Sequence, residues 1–282
     1  MKKKNLNNKV IVVTGGCNGI GKATAELLFE RGANVVIADI EVNKQSEIKN
    51  CGLAGSQQLF KIHLDAAYVE SWNNLYESVL KEFGKIDVLI NCAGILSPGN
   101  ITDTTIKEIE RQIAINLLGP IYGTKVFMQY FNRVKKGHVI NISSLAGITP
   151  IPGESIYSAS KFGLRGFSLS LSYEMRNTNV KVTVVCPDSV LTDLIIYEAK
   201  HNGSNLSFSG KLLKAEYVAG IIYKTILHPK NEVLIKPLKG LLSKAAGNSS
   251  LIMGSLYSIV DKIGEINKKK LLAKLNNEAQ SC

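Results

Sequence analysis

The chain has 282 residues, of which 45% are hydrophobic and 20% charged, enough to bury one large α/β core and too apolar for a disordered chain. Its 24 glycines stand against only 7 prolines with no low-complexity run, which excludes collagen and coiled coil. Formal charge is +11, but four lysines in residues 1–9, and eight against three acids in residues 236–282, hold +9 of it. The nearly neutral middle lacks the basic, aromatic-interleaved stripe that nucleic acid requires, so no nucleic-acid partner is expected.

Short apolar, β-branched runs predict strands at Val10 to Thr14, Asn34 to Asp39, Leu59 to Leu64, Ile86 to Asn91, His138 to Ser143, Lys181 to Cys186 and Glu232 to Ile235. Between them, amphipathic stretches predict helices at Gly19 to Arg31, Val42 to Asn50, Ala67 to Phe83, Thr104 to Phe131, Ser155 to Arg176 and Lys214 to Leu227. This alternation predicts an α/β protein with a doubly wound, parallel, seven-stranded sheet covered on both faces. Gly119-Pro120 should bend or break the long helix near Asn116.

Two segments depart from the alternation. Residues Asp188 to Gly210 predict a 23-residue lid-like connection whose apolar Leu191, Leu194, Ile195, Ile196, Tyr197 and Phe208 are flanked by Gly203 and Gly210. Residues 237–282 form an amphipathic, basic extension to a catalytic domain of residues 1–236. In that extension Leu251, Ile252, Leu256, Ile259, Val260, Ile263 and Ile266 recur at helical spacing. Its longest uncharged stretch is too short and polar to span a bilayer, so it is expected to pack on the domain or a neighbouring subunit, with peripheral membrane contact as the alternative.

The first strand runs through Thr14-Gly15-Gly16-Cys17-Asn18-Gly19-Ile20-Gly21 into a helix. Glycines there let a pyrophosphate lie against backbone N–H groups at the positive end of the helix dipole. The next strand ends at Asp39, whose carboxylate would accept from adenosine ribose hydroxyls and repel a 2′-phosphate. Ile40 follows it, so NAD is favoured over NADP. Asp39 as a mere turn cap is the competing reading, and Lys22 or Lys44 would serve an NADP enzyme.

Tyr157 and Lys161 lie four apart at the start of a predicted helix, hence on one face. A cation about 5 Å from a phenol, at an effective dielectric of about 20, is worth roughly 3 kcal/mol, enough to lower its pKa by about two. Such a phenol can exchange a proton with an alcohol oxygen.

With these two residues in place, the sequence resembles the short-chain dehydrogenase/reductase family in its compact single-domain branch. The resemblance rests on the glycine turn, Asp65 after the third strand, Asn91-Cys92-Ala93-Gly94, Asn116, Ile142-Ser143-Ser144 and Tyr157-Ser158-Ala159-Ser160-Lys161, in that order over residues 9–236. It implies a Rossmann fold and a catalytic tetrad. Tyr157 would be the acid/base, Lys161 its cationic neighbour and ribose ligand, Ser144 the donor to the substrate oxygen, and Asn116 the support of a proton relay. Ser144 is chosen over Ser143 because it stands 13 residues before Tyr157. It also implies cofactor contacts from Gly15, Asn18, Gly19, Ile20, Gly21, Asp39, Ile40, Leu64, Asp65, Asn91, Ala93, Gly94, Pro187, Val190 and Thr192, besides Tyr157 and Lys161. Substrate would meet Ser144, Leu145, Tyr157 and Leu194. Two departures stand out: Cys92 where the family usually has Asn, and Asp188 after Pro187 where it usually has Gly, which puts a negative charge near the nicotinamide.

The expected protein is an oxidoreductase exchanging a hydride between NAD(H) and an apolar secondary alcohol or ketone of steroid, retinoid or lipid type. Apolar residues at Leu145, Ile148, Pro150, Ile151 and Pro152 suggest the pocket walls. An NADPH-dependent carbonyl or 3-oxoacyl reductase is the alternative, and a nucleotide-sensing or membrane-surface scaffold is the reading from another class. Five scattered cysteines without a CxxC, and a first apolar run too short for a signal peptide, predict a reducing, cytoplasmic compartment and no metal site. The family resemblance implies a homodimer or homotetramer.

Overall fold

The computed structural model describes residues 6–43, 58–201, 204–236 and 250–280. The predicted helix from Val42 to Asn50 lies almost wholly outside these, as do Lys44, Gly203 and residues 237–249. Seven strands form one parallel sheet: β1 (Val10–Thr14), β2 (Asn34–Asp39), β3 (Leu59–His63), β4 (Val88–Asn91), β5 (Gly137–Ile142), β6 (Val180–Cys186) and β7 (Glu232–Leu234). Their spatial order is β3-β2-β1-β4-β5-β6-β7. The order reverses between β1 and β4, which opens a crevice at the carboxyl ends of the strands.

Every residue of β1, β4 and β5 is buried, because helices cover both faces. On one face α2 (Val69–Phe83) and α4 (Gly119–Val134) bury Trp72, Leu75, Phe127 and Phe131 against the sheet. On the other, α1 (Gly19–Glu30) and α7 (Ala215–Leu227) bury Leu28, Val218 and Ile222 against Ile11, Val13 and Ile140. Sealing such apolar side chains from water supplies roughly 2 kcal/mol each, the main force holding the layers together.

The long predicted helix does not break at Gly119-Pro120. It runs as α3 (Ile106–Ile113), a π-helical turn (Ala114–Leu118) and α4. Pro120 has no N–H for the Asn116 carbonyl, and the widened turn accommodates this by having Gly119 N–H bond back to the Ala114 carbonyl.

The connection from Asp188 to Gly210 differs from the expected irregular loop. It contains α6 (Asp193–Lys200) and a 3-10 turn (Asn205–Phe208). What orders it is α8 (Ser250–Gln280), the helix of the carboxyl-terminal extension. Leu271 and Leu272 of α8 pack with Ile195, Ala199 and Phe208. Asn267 Nδ2 donates to the Phe208 carbonyl at 3.0 Å, and Asn205 Nδ2 donates to Asp261 Oδ2 at 3.3 Å. Gly264 makes the approach feasible, since a Cβ there would stand 1.8 Å from the Asn205 carbonyl oxygen. No helix among the described residues is long and apolar enough to cross a membrane.

Gly264→Leu is therefore expected to lift α8 from the 3-10 turn. Limited proteolysis should show new cleavage within residues 250–280 of the variant, while the sheet core keeps its melting transition; an unchanged digestion pattern would contradict the docking.

Candidate active site

A cavity of about 800 Å³ runs along the carboxyl ends of the strands. At one end is the turn between β1 and α1. Gly15 and Gly19 have φ of +65° and +53°, and a Cβ on Gly21 would meet the Gly15 carbonyl oxygen at 2.0 Å. Gly21 thus leaves no room for a side chain where the turn folds on itself, and α1 carries no acid in its first turn to oppose an anion. Asn18 caps the entrance, its Nδ2 donating to Glu41 Oε2 at 2.9 Å.

Asp39, 8% exposed, lines the same end. Its Oδ2 accepts from Cys17 N–H at 2.9 Å and its Oδ1 from Glu41 N–H at 3.1 Å, so it does cap the turn, yet each oxygen keeps a lone pair for another donor. Lys22 is exposed and absent from the cavity wall. Ligand atoms of Cys17, Asp39 and Glu41 lie within 4.8 Å of one another. The Cys17 thiol is pushed up to about 11 by burial and then by Asp39, so it holds its proton and is a poor metal ligand.

At the other end, α5 (Ser155–Glu174) meets β5. Lys161 Nζ donates to the Ile142 carbonyl at 3.1 Å, and Ser143 Oγ donates to the Lys161 carbonyl at 2.9 Å. Ser143 is thereby consumed in fastening the helix. Ser144 lines the cavity, accepts from Ala146 N–H at 3.0 Å and hydrogen-bonds Tyr157. Lys161 Nζ sits 5.6 Å from the centre of the Tyr157 ring. Burial lowers the Lys161 ammonium to about 8. The tyrosine departs from the expected lowering: burial, then Glu154 and Glu198, raise its pKa, and only the Ser144 hydrogen bond pulls down. Desolvation of the phenol and the nearby carboxyl groups outweigh the single hydrogen bond that favours its ionised form.

The cavity wall brings together Gly15, Asn18, Gly19, Ile20, Gly21, Asp39, Ile40, Asp65, Ala93, Gly94, Pro187, Val190 and Thr192 with Ser144, Leu145, Tyr157, Lys161 and Leu194. Three predicted residues lie behind it. The Leu64 side chain, just past the end of β3, is buried in the core beside Phe60 and Ala66. Asn91 donates from Nδ2 to Asn141 Oδ1 at 2.7 Å, joining β4 to β5. Asn116 clamps the strand-end loop, its Oδ1 accepting from Ile95 N–H and its Nδ2 donating to the Ile95 carbonyl, both at 2.8 Å.

Of the predicted apolar walls, Leu145, Ile151, Leu194 and Ile195 face the cavity. Ile148 and Phe208 are core, while Leu191 and Tyr197 are exposed. The charge expected from Asp188 is met by Lys236, whose Nζ lies 3.0 Å from Asp188 Oδ2. Cys92 lines the floor, its thiol held up at about 12 by burial. Sequence reading missed Glu154, Glu198, Ser207 and Val260 in the wall; Glu154, the residue preceding α5 and three before Tyr157, was the one with a local signal.

A cavity with a glycine-rich anion cradle and ribose acceptor at one end, and a tyrosine, serine and buried lysine at the other, fits a nicotinamide dinucleotide. Gly15, Asn18, Ile20 and Asp39 would hold the adenosine and pyrophosphate, and Lys161, Val190 and Thr192 the nicotinamide half.

The family described as short chain dehydrogenase matches residues 9–202. The chain is 32% identical over 258 residues to an oxidoreductase of Mycobacterium tuberculosis named SadH, covering 89% of this chain and 93% of that one. It is 34% identical over 242 residues to mouse dehydrogenase/reductase SDR family member 7B, covering 83% and 75% of the two chains. Among solved structures, a short chain dehydrogenase/reductase from Burkholderia phymatum in complex with NAD superposes with a TM-score of 0.73 at 24% identity, over 85% of this chain and 93% of that one. At that identity the likeness is one of fold.

If Lys161 carries its charge to a dinucleotide ribose, NADH affinity should fall as pH rises through about 8, where the ammonium is lost. Fluorescence titration between pH 6 and 9.5 reads this, and the slope should vanish in Lys161→Met; a flat wild-type profile would remove the role.

Proposed function

This chain belongs to the short-chain dehydrogenase family, and from that premise we propose that it interconverts a secondary alcohol and a ketone with NAD(H) as hydride carrier. The observation that carries the proposal is that Ser144, Tyr157 and Lys161 line one end of a single cavity whose other end is the glycine cradle with Asp39.

When bound, the nicotinamide supplies or accepts the hydride. Tyr157 Oη gives its proton to the ketone oxygen in reduction and takes the alcohol proton in oxidation. The Ser144 hydroxyl, already bonded to Tyr157, holds the same oxygen, so two donors face the atom on which negative charge develops. Ionising Tyr157 requires an offsetting cation, and Lys161 is the buried ammonium beside its ring. Asn116 acts through the Ile95 backbone that it clamps, keeping the loop beside Lys161 in place.

NAD rather than NADP is supported by two carboxylates at the ribose end, Asp39 and Glu41, with Lys22 directed elsewhere. An apolar substrate is supported by Leu96, Ile115, Leu145, Ile151, Leu194 and Val260 around the reactive end. A reducing, cytoplasmic setting agrees with free Cys17, Cys92 and Cys186. Exposed Phe162 and Tyr173, three turns apart on α5, supply an apolar face for a homodimer or homotetramer. On α8, exposed Ile259, Ile263 and Ile266 alternate with exposed Lys262, Lys269 and Lys270, a face suited to an anionic membrane surface.

Tyr157→Phe is expected to cut turnover about 10³-fold while sparing NADH affinity; comparable turnover would require another acid/base. Asp39→Ala should raise NADPH affinity relative to NADH by about tenfold or more, through loss of like-charge repulsion. An unchanged ratio in fluorescence titrations would return the NADPH reading to the front. Light scattering should give a mass of two or four chains. Sedimentation with anionic but not neutral vesicles should carry the protein down, and Ile263→Glu should release it; recovery in the supernatant throughout removes the membrane contact.

A further inference from the structure

We propose that Glu154 and Glu198 form a substrate-selecting carboxyl pair that recognises a neutral hydrogen-bond donor, a second hydroxyl on the substrate a few bonds from the carbon that exchanges hydride. The proposal rests on the alcohol/ketone reading above and names a feature of its substrate.

The two acids come from different elements, Glu154 from the residue preceding α5 and Glu198 from the last turn of α6. They are 4% and 3% exposed, yet both line the cavity shared with Ser144 and Tyr157. The same cavity is lined by the apolar Ile151, Leu194, Ile195, Leu206 and Val260, which offer an acid no hydrogen bond. Ser207 Oγ donates to Glu154 Oε1 at 3.2 Å. Glu198 Oε1, removed from solvent, has no hydrogen-bond partner in the protein. A buried acceptor without a donor is a deficiency that a ligand hydroxyl would make good.

The ionic state argues for a neutral donor over a cation. The two carboxyl groups hydrogen-bond each other, and burial raises both, Glu198 to about 10. Like charges at that separation cannot both persist, so the pair retains one proton near neutral pH. Lys268 of α8 is the cation that acts on both, Ser207 and the Ser204 backbone N–H donate to the pair, and the neutral Tyr157 lies close by. One shared proton, one negative charge and one ammonium leave no net charge for a substrate amine. Glu154 lines the same cavity as Tyr157, so a substrate held at the phenol can present a second polar group to the pair.

The test compares cyclohexanol, 1,4-cyclohexanediol, 4-methoxycyclohexanol and 4-aminocyclohexanol as substrates with NAD. The expected result is a kcat/KM at least about tenfold higher for the diol than for cyclohexanol or the methyl ether, which keeps the size and the oxygen but lacks the donor. In Glu198→Leu, with NADH affinity retained as the check on folding, that advantage should collapse to within about twofold. Equal kcat/KM across the series in the wild-type protein overturns the proposal without reference to any variant, and so does a preference for the amine. Should none be oxidised, the hydride-transfer reading is what fails for these alcohols; binding of the same four compounds to the protein–NADH complex must then still favour the diol, and equal or absent binding overturns the pair as a selector.

Discussion

The close approach of α5 to the carboxyl end of β5 governs the reactive end of the cavity. A Cβ on Gly147 would stand 2.6 Å from the Lys161 carbonyl oxygen and 2.7 Å from Ser143 Oγ, so the contact exists only because that residue is glycine. Three hydrogen-bonding residues then lock it: Ser143 holds the helix backbone, Lys161 reaches back to Ile142, and Ser144 is left to face Tyr157. Two serines of the same type and adjacent in sequence acquire different tasks because strand alternation sends them to opposite sides.

Around that contact the protein buries charge and polarity unusually close to the reaction site. The amide network of Asn91, Asn141 and Ser168 crosses from β4 through β5 to α5, fixing register where apolar packing alone would tolerate slippage. Asp188, which would otherwise place a bare carboxylate at the cavity, is paired with Lys236. At Lys161 and at the Glu154–Glu198 pair burial prevails, and their pKa values move toward the neutral forms. Groups held away from their solution charge state are poised to respond to a ligand, whereas the pairs at Asp188–Lys236 and Arg165–Glu232 are structural.

The carboxyl-terminal helix ties this chemistry to the rest of the chain. By docking Leu271, Leu272 and Asn267 on the segment around Phe208, α8 holds the α6 region over the cavity and contributes Val260 to the wall and Lys268 to the field at the carboxyl pair. Its inner face is thereby committed to the substrate end, while its outer face presents isoleucine and lysine to solvent. One helix thus joins the interior of the site to a surface.

What the sequence determined by itself was whatever depends on local periodicity and short spacing. Continuous β-branched runs located all seven strands to within two residues, the glycine turn announced its anion cradle, and the four-residue step from Tyr157 to Lys161 placed both on one helix face. Only the tertiary structure decided matters that depend on distant residues meeting. The bend or break expected near Asn116 takes the form of a π turn, in which the Gly119 N–H reaches back to the Ala114 carbonyl. The supposed irregular lid became α6 and a 3-10 turn because residues some sixty positions later supply its packing. Leu64, Asn91 and Asn116 were withdrawn from the cavity wall, and the direction of the Tyr157 shift was reversed, by burial and by Glu198, a residue 41 positions away whose proximity no local pattern encodes.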